Sequence, residues 1–96
     1  MQINISSDAL EWFQKEMEVE PGDNVRFFVR YGGASKIQPG FSLGVTKDQP
    51  HEIAVKVEQD SIVYFIEETD LWYFDGHDLH VTVNDDLHEL DYSYAV

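Results

Sequence analysis

No cysteine occurs among the 96 residues of the chain. That single absence excludes disulfide staples, thiol nucleophiles and thiolate metal ligands. Basic residues are scarce: six Lys and Arg stand against 19 Asp and Glu, for a formal net charge of −13. A field of that sign repels nucleic acid and anionic lipid, so neither is expected as a partner. It suits solubility, cations or a basic protein surface. Long apolar runs are missing too. The longest, Ile62 to Ile66, falls far short of the roughly 20 residues that span a bilayer. Nothing resembles a signal peptide, since Met1-Gln2-Ile3-Asn4 leads straight into a capped helix. The expected compartment is the cytoplasm, which a cysteine-free composition permits.

What is present supports a packed core. Hydrophobic residues make up 43% of the chain and aromatics 14%. That is enough to argue against global disorder, and the length points to one domain over residues 1–96. Ile3 and Ile5 alternate with polar neighbours, as in a short strand. Ser6-Ser7-Asp8 offers N-cap oxygens, and Leu10, Phe13 and Met17 recur at helical spacing. The pattern predicts a helix from Ser7 to Met17, ended before Pro21-Gly22-Asp23.

Strands follow. In Val25 to Tyr31, Val25, Phe27, Val29 and Tyr31 share one face, and Arg26, Phe28 and Arg30 the other. Phe41, Leu43 and Val45 alternate, as do Ile53, Val55 and Val57. Ser61 to Ile66 is apolar on both faces and reads as a central, buried strand. Thr69 or Asp70 offers a cap for a short helix carrying Leu71, Trp72 and Phe74. Leu79, Val81 and Val83 alternate, then Asn84-Asp85-Asp86 turns the chain into a last strand of His88, Leu90, Tyr92 and Tyr94. The expected fold class is α+β and β-rich. It has six or seven short, mostly antiparallel strands, one N-terminal helix and one short helix.

Few residues are candidates for chemistry. His77, His80 and His88 lie amid Asp75, Asp78, Asp85 and Asp86, a ligand set that suits zinc or ferrous iron. Their spacing builds no ready site, and surface histidines beside acidic turns are the simpler reading. Ser35 sits in a glycine loop, but no Gly-x-Ser-x-Gly elbow exists. A hydrolase with Ser35 as nucleophile therefore ranks last. Arg26 and Arg30 are expected to pair with acids on neighbouring strands rather than bind a ligand. Trp72-Tyr73-Phe74 is expected to supply core.

The loop Tyr31-Gly32-Gly33-Ala34-Ser35 resembles the Gly-Gly-Cys-Ser loop of the HesB/IscA-type iron–sulfur biosynthesis family. "INISSDALEWF", "VRFFVRYGGASKIQPGFSLGV" and "SIVYFIEETDLWYFDGHDLHV" follow that family's order of parts over nearly the whole chain. Trp72 to Gly76 is similar to its short YneR-like branch. The resemblance implies a HesB-like domain and an iron–sulfur biosynthesis-related role. It also implies three cysteine ligands, one in the glycine loop and two in a C-terminal Cys-Gly-Cys. Here the first position is Ala34, and the chain ends Tyr92-Ser93-Tyr94-Ala95-Val96. The implied protein is thus a non-enzymatic accessory that ligates no cluster and holds no cofactor. Its candidate binding loop is Gly32, Gly33, Ala34 and Ser35, and its expected partner is a protein of the iron–sulfur assembly type. The alternative is an iron or zinc carrier using His77, His80 and His88. The oligomeric state stays open.

Overall fold

In the computed structural model, which describes residues 1–96, hydrophobic alternation resolves into seven strands and two helices. Strand β1 (Ile3–Ile5) runs into helix α1 (Ser7–Glu16). Ser6 caps the helix, its Oγ accepting from the Ala9 N–H at 3.1 Å, and Met17 closes the other end. Asp8 in the first turn and Lys15 in the last complement the helix dipole. Then come β2 (Asn24–Tyr31), β3 (Phe41–Lys47), β4 (Ile53–Gln59) and β5 (Ile62–Glu67). A 3-10 helix (Glu68–Phe74) precedes β6 (Asp78–Asn84) and β7 (Glu89–Ala95). No helix is long and apolar enough to cross a membrane.

The strands form two mixed sheets, ordered β1-β6-β7 and β3-β2-β5-β4. The three hairpin pairs, β2/β3, β4/β5 and β6/β7, are antiparallel, while β1/β6 and β2/β5 are parallel. This is the β-rich α+β class that the sequence predicts. As expected, β5 lies inside its sheet. Tyr64 and Ile66 join the main core from one face, while Phe65 is fully buried outside that cluster.

The core forms where α1 and the three-stranded sheet meet the inner face of the four-stranded one. Val25 and Phe27 of β2 are fully buried there with Phe13, Leu79 and Val81. The Phe13 ring meets Tyr64 at 5.1 Å and Phe27 at 6.1 Å, and Phe27 meets Tyr92 of β7 at 6.2 Å. Such tilted and edge-on contacts add to area burial.

Two expectations need correction. His88 is not in the last strand. It sits in the β6–β7 turn with φ +53, and its carbonyl accepts from Trp12 Nε1 at 2.9 Å. The left-handed backbone breaks the alternation one residue before β7 begins. The aromatic triplet also divides. Tyr73 and Phe74 are fully buried, whereas Trp72 is 50% exposed.

Candidate functional site

The glycine loop joins β2 to β3, and two left-handed glycines shape it. Gly32 has φ +104 and Gly33 φ +83, and the Gly32 N–H closes the loop on the Gly40 carbonyl at 2.8 Å. A Cβ on Gly33 would stand 2.9 Å from Ser42 Oγ, while one on Gly32 would meet nothing within 4 Å. Gly33→Ala is therefore expected to cost about 1–2 kcal/mol, or roughly 4–16 °C in Tm. Gly32→Ala should cost only the backbone part of that. Equal losses in thermal melts of the two variants would remove Ser42 as the cause. Farther along, Ser35 Oγ accepts from the Ile37 and Gln38 N–H groups, both at 3.1 Å.

Beyond this loop lies a cleft of about 730 Å³ between the two sheets. Ala34 and Ser35 line it with Lys36 and Ile37, opposite Leu90 to Tyr94 of β7. Ser42 and Leu43 of β3 form one wall, and Tyr73, Asp75 and His77 close an end. Tyr73 and Tyr94 share a hydroxyl–hydroxyl bond of 3.0 Å. Burial, reinforced by that bond, holds the Tyr94 pKa far above its ordinary value. Burial pushes that of Tyr92 up to about 12. Tyr92 and Tyr94 therefore stay uncharged well above neutral pH.

Outside the cleft mouth the same elements present an aromatic surface. Tyr31 is 93% exposed and packs edge-on against Phe41 at 5.8 Å, and Phe41 packs against Trp72 at 5.3 Å. Phe41 and Trp72 precede in the chain the cleft-lining Ser42 and Tyr73, so patch and cleft share elements. Exposed aromatics in contact with one another are enriched in interfaces. Sequence reasoning missed this patch because it placed Trp72 in the core. Tyr31, at the strand end before two glycines, was the signal.

The histidines do not come together as ligands. The β6/β7 register sets Ser93, not His88, across from His80. His77 Nδ1–H donates to the Phe74 carbonyl at 2.9 Å and the Asp75 carbonyl at 3.1 Å, which fastens the end of the 3-10 helix. No group of three or more His, Asp or Glu side chains is placed to hold a metal ion. The reading of an iron or zinc carrier on His77, His80 and His88 is corrected accordingly. Ser35 and His77 do line one cleft. No hydrogen bond joins them: Ser35 Oγ accepts from its own loop, and His77 Nδ1 donates to backbone carbonyls.

Arg26 finds its acids, although not on neighbouring strands. Its Nη2 donates to Asp70 of the 3-10 helix at 2.9 Å and its Nη1 reaches Asp48, in the loop after β3, at 3.4 Å. Next to it Glu67, 4% exposed, accepts from the backbone N–H groups of His51 and Glu52 at 2.8 and 2.7 Å. This network joins β2, the loop before β4 and the 3-10 helix.

The site thus belongs to a small α+β chain whose distinguishing surfaces are an inter-sheet cleft and an aromatic patch, with no assembled metal centre. The chain belongs to the family of a Bacillus subtilis protein named pyruvate dehydrogenase inhibitor. The two are 55% identical over 94 residues, covering 98% of this chain and 99% of that one. An uncharacterized protein of Staphylococcus saprophyticus is 40% identical over 96 residues, covering 97% of this chain and 98% of its own length. One of Staphylococcus aureus is 39% identical over 98 positions, covering 99% and 98%. No family model matches the chain, and no solved structure matches it.

These findings overturn the resemblance to the HesB/IscA-type family and its YneR-like branch. With it go the iron–sulfur biosynthesis role and the partner of the iron–sulfur assembly type. The reason is physical. Without cysteines, the resemblance rested on the order of strands, helices and glycine loop and on the run Trp72 to Gly76. Those residues encode burial and backbone conformation, and such features recur on folds of unrelated function.

Proposed function

We propose that this chain is a non-catalytic inhibitor of pyruvate dehydrogenase that acts by docking on the enzyme, with residues 1–96 working as one domain. The observation that carries this reading is the 55% identity to the Bacillus subtilis inhibitor over nearly the full length of both chains. At that identity, without gross length difference, an interaction surface is expected to persist along with the fold. The geometry supports a docking role: the aromatic patch of Tyr31, Phe41 and Trp72 lies beside the loop Gly32 to Ser35, where Gly33 and Ala34 are exposed. Large aromatics at an interface centre are the usual carriers of binding energy. Gly32, Gly33, Ala34 and Ser35 are proposed as contact residues with the patch.

The test is titration of the purified chain into an assay of the Bacillus subtilis pyruvate dehydrogenase complex. Saturable loss of activity is expected. Tyr31→Ala should weaken it by roughly 30-fold, a loss of about 2 kcal/mol of interface energy. Tyr31 is 93% exposed, so its replacement leaves the fold intact and the loss reports docking alone. Full enzyme activity at saturating protein overturns the reading.

A further inference from the structure

Strand β7 is a margin of its sheet and β3 a margin of the other. The two margins face the same cleft. Five consecutive residues of β7, Leu90 to Tyr94, line it. Because successive side chains point to opposite faces, an unbroken run can line a cleft only when the strand presents its edge. The backbone of β7 bonds to β6 alone, so its alternate N–H and C=O groups on the cleft side have no backbone partner. The loop Ala34 to Ile37, with Lys36, stands across the cleft from this edge, but no backbone hydrogen bond joins the two, so the edge is left unpaired.

We propose that the cleft binds an extended segment of a protein partner as an added strand on β7, and that this segment alternates apolar and basic residues. It rests on the inhibitor reading only for the existence of that partner. The alternation follows from cross-strand pairing. On β7 the partly buried Leu90, Tyr92 and Tyr94 alternate with the exposed Glu89 and Asp91. A strand laid beside them meets apolar side chains on one face and carboxylates on the other. Main-chain hydrogen bonds hold the segment, and the alternate positions select it. Leu43, across the cleft on β3, adds apolar surface for the inward side chains. The net charge of −13 draws a basic segment in and opposes the other occupant of a free edge, a second copy pairing β7 with β7.

The probe is a blocked hexapeptide of alternating lysine and valine, added to the isotope-labelled full chain and followed by amide exchange and NMR. Slowed exchange at alternate amides within Glu89–Ala95 is expected, with affinity lowered about two- to fivefold by Asp91→Lys. Asp91 is exposed, so the variant keeps the fold. A peptide N-methylated on alternate residues should not bind. Equal binding by that control, changes spread over the acidic turns, or no change at β7 overturns the proposal. So does a concentration-dependent dimer that protects β7 without peptide. The partner's identity separates in a parallel arm with the Bacillus subtilis complex. Protection of β7 by peptide without enzyme inhibition keeps the edge and removes the inhibitor reading. Inhibition while the β7 amides exchange freely does the reverse.

Discussion

Phe13→Ala is expected to cost about 3–5 kcal/mol and to bring unfolding much closer to 37 °C. Phe13 is fully buried on α1, with Ala9 the other buried residue of that helix. Its ring meets Trp12 at 5.5 Å, Tyr64 at 5.1 Å and Phe27 at 6.1 Å. It thereby couples the helix to β2 and β5. A ten-residue helix is marginal in isolation, so its stability comes from this docking. A chain of this length has roughly 5–14 kcal/mol in total, so the change removes a large share of it. The Tm should fall by roughly 12–40 °C. Phe13→Leu keeps most of the volume and should cost about 1–2 kcal/mol. Urea melts of the two variants check the ratio. A loss below about 1.5 kcal/mol for the alanine variant would show that another contact seats the helix.

The same helix shows how much was legible in the sequence. Ser6, Asp8 and the spacing of Leu10, Phe13 and Met17 are local signals, and the observed helix matches them to within a residue at its end. Strand alternation was equally local, and β5 declared its central place by being apolar on both faces. Contacts that join distant segments were not legible. The parallel pairs β1/β6 and β2/β5 link strands that no hairpin turn connects. Alternation within a strand carries no record of its partner or of that partner's direction. The cleft has the same character, since Leu43 and Tyr92 meet only once both sheets are assembled. His88 marks the opposite failure. Its side chain extended a strand period that its backbone, at φ +53, does not follow. Only the loop half of the candidate site, Gly32 to Ser35, announced itself, because paired glycines after a strand demand unusual backbone. Function was least legible of all. A docking surface is made of exposed residues whose types, Tyr31 and Trp72, serve a core equally well.

Removing the charge at Arg26 should be the next most damaging single change. Its side chain is 23% exposed, and that of Asp70 only 12%. Burial works against the charged guanidinium, but the hydrogen bond and field of Asp70, with help from Asp48 and Glu67, more than offset it and raise its pKa. Arg26→Ala leaves the Asp70 carboxylate buried without its cation, and the Glu67 carboxylate without the positive field beside it. Breaking a buried pair from one side costs 3–5 kcal/mol, and partial access of water to Arg26 lowers this to about 2–4 kcal/mol. A Tm fall of roughly 8–30 °C follows. Arg26→Lys keeps the charge and loses the planar fork, so it should fall between wild type and alanine. The decisive variant replaces both partners, Arg26→Met with Asp70→Leu. Desolvation of the pair is then no longer required, and much of the lost stability should return. A double-mutant cycle on thermal melts measures this directly. Additive losses would mean that Arg26 and Asp70 do not act as a pair. Recovery would show that the 3-10 helix is pinned electrostatically to β2, fixing the segment that carries Trp72 to the patch and Tyr73 to the cleft. From that segment the Tyr73 hydroxyl reaches Tyr94 of β7, so the Arg26 pair and the tyrosine pair anchor the 3-10 helix to one sheet each.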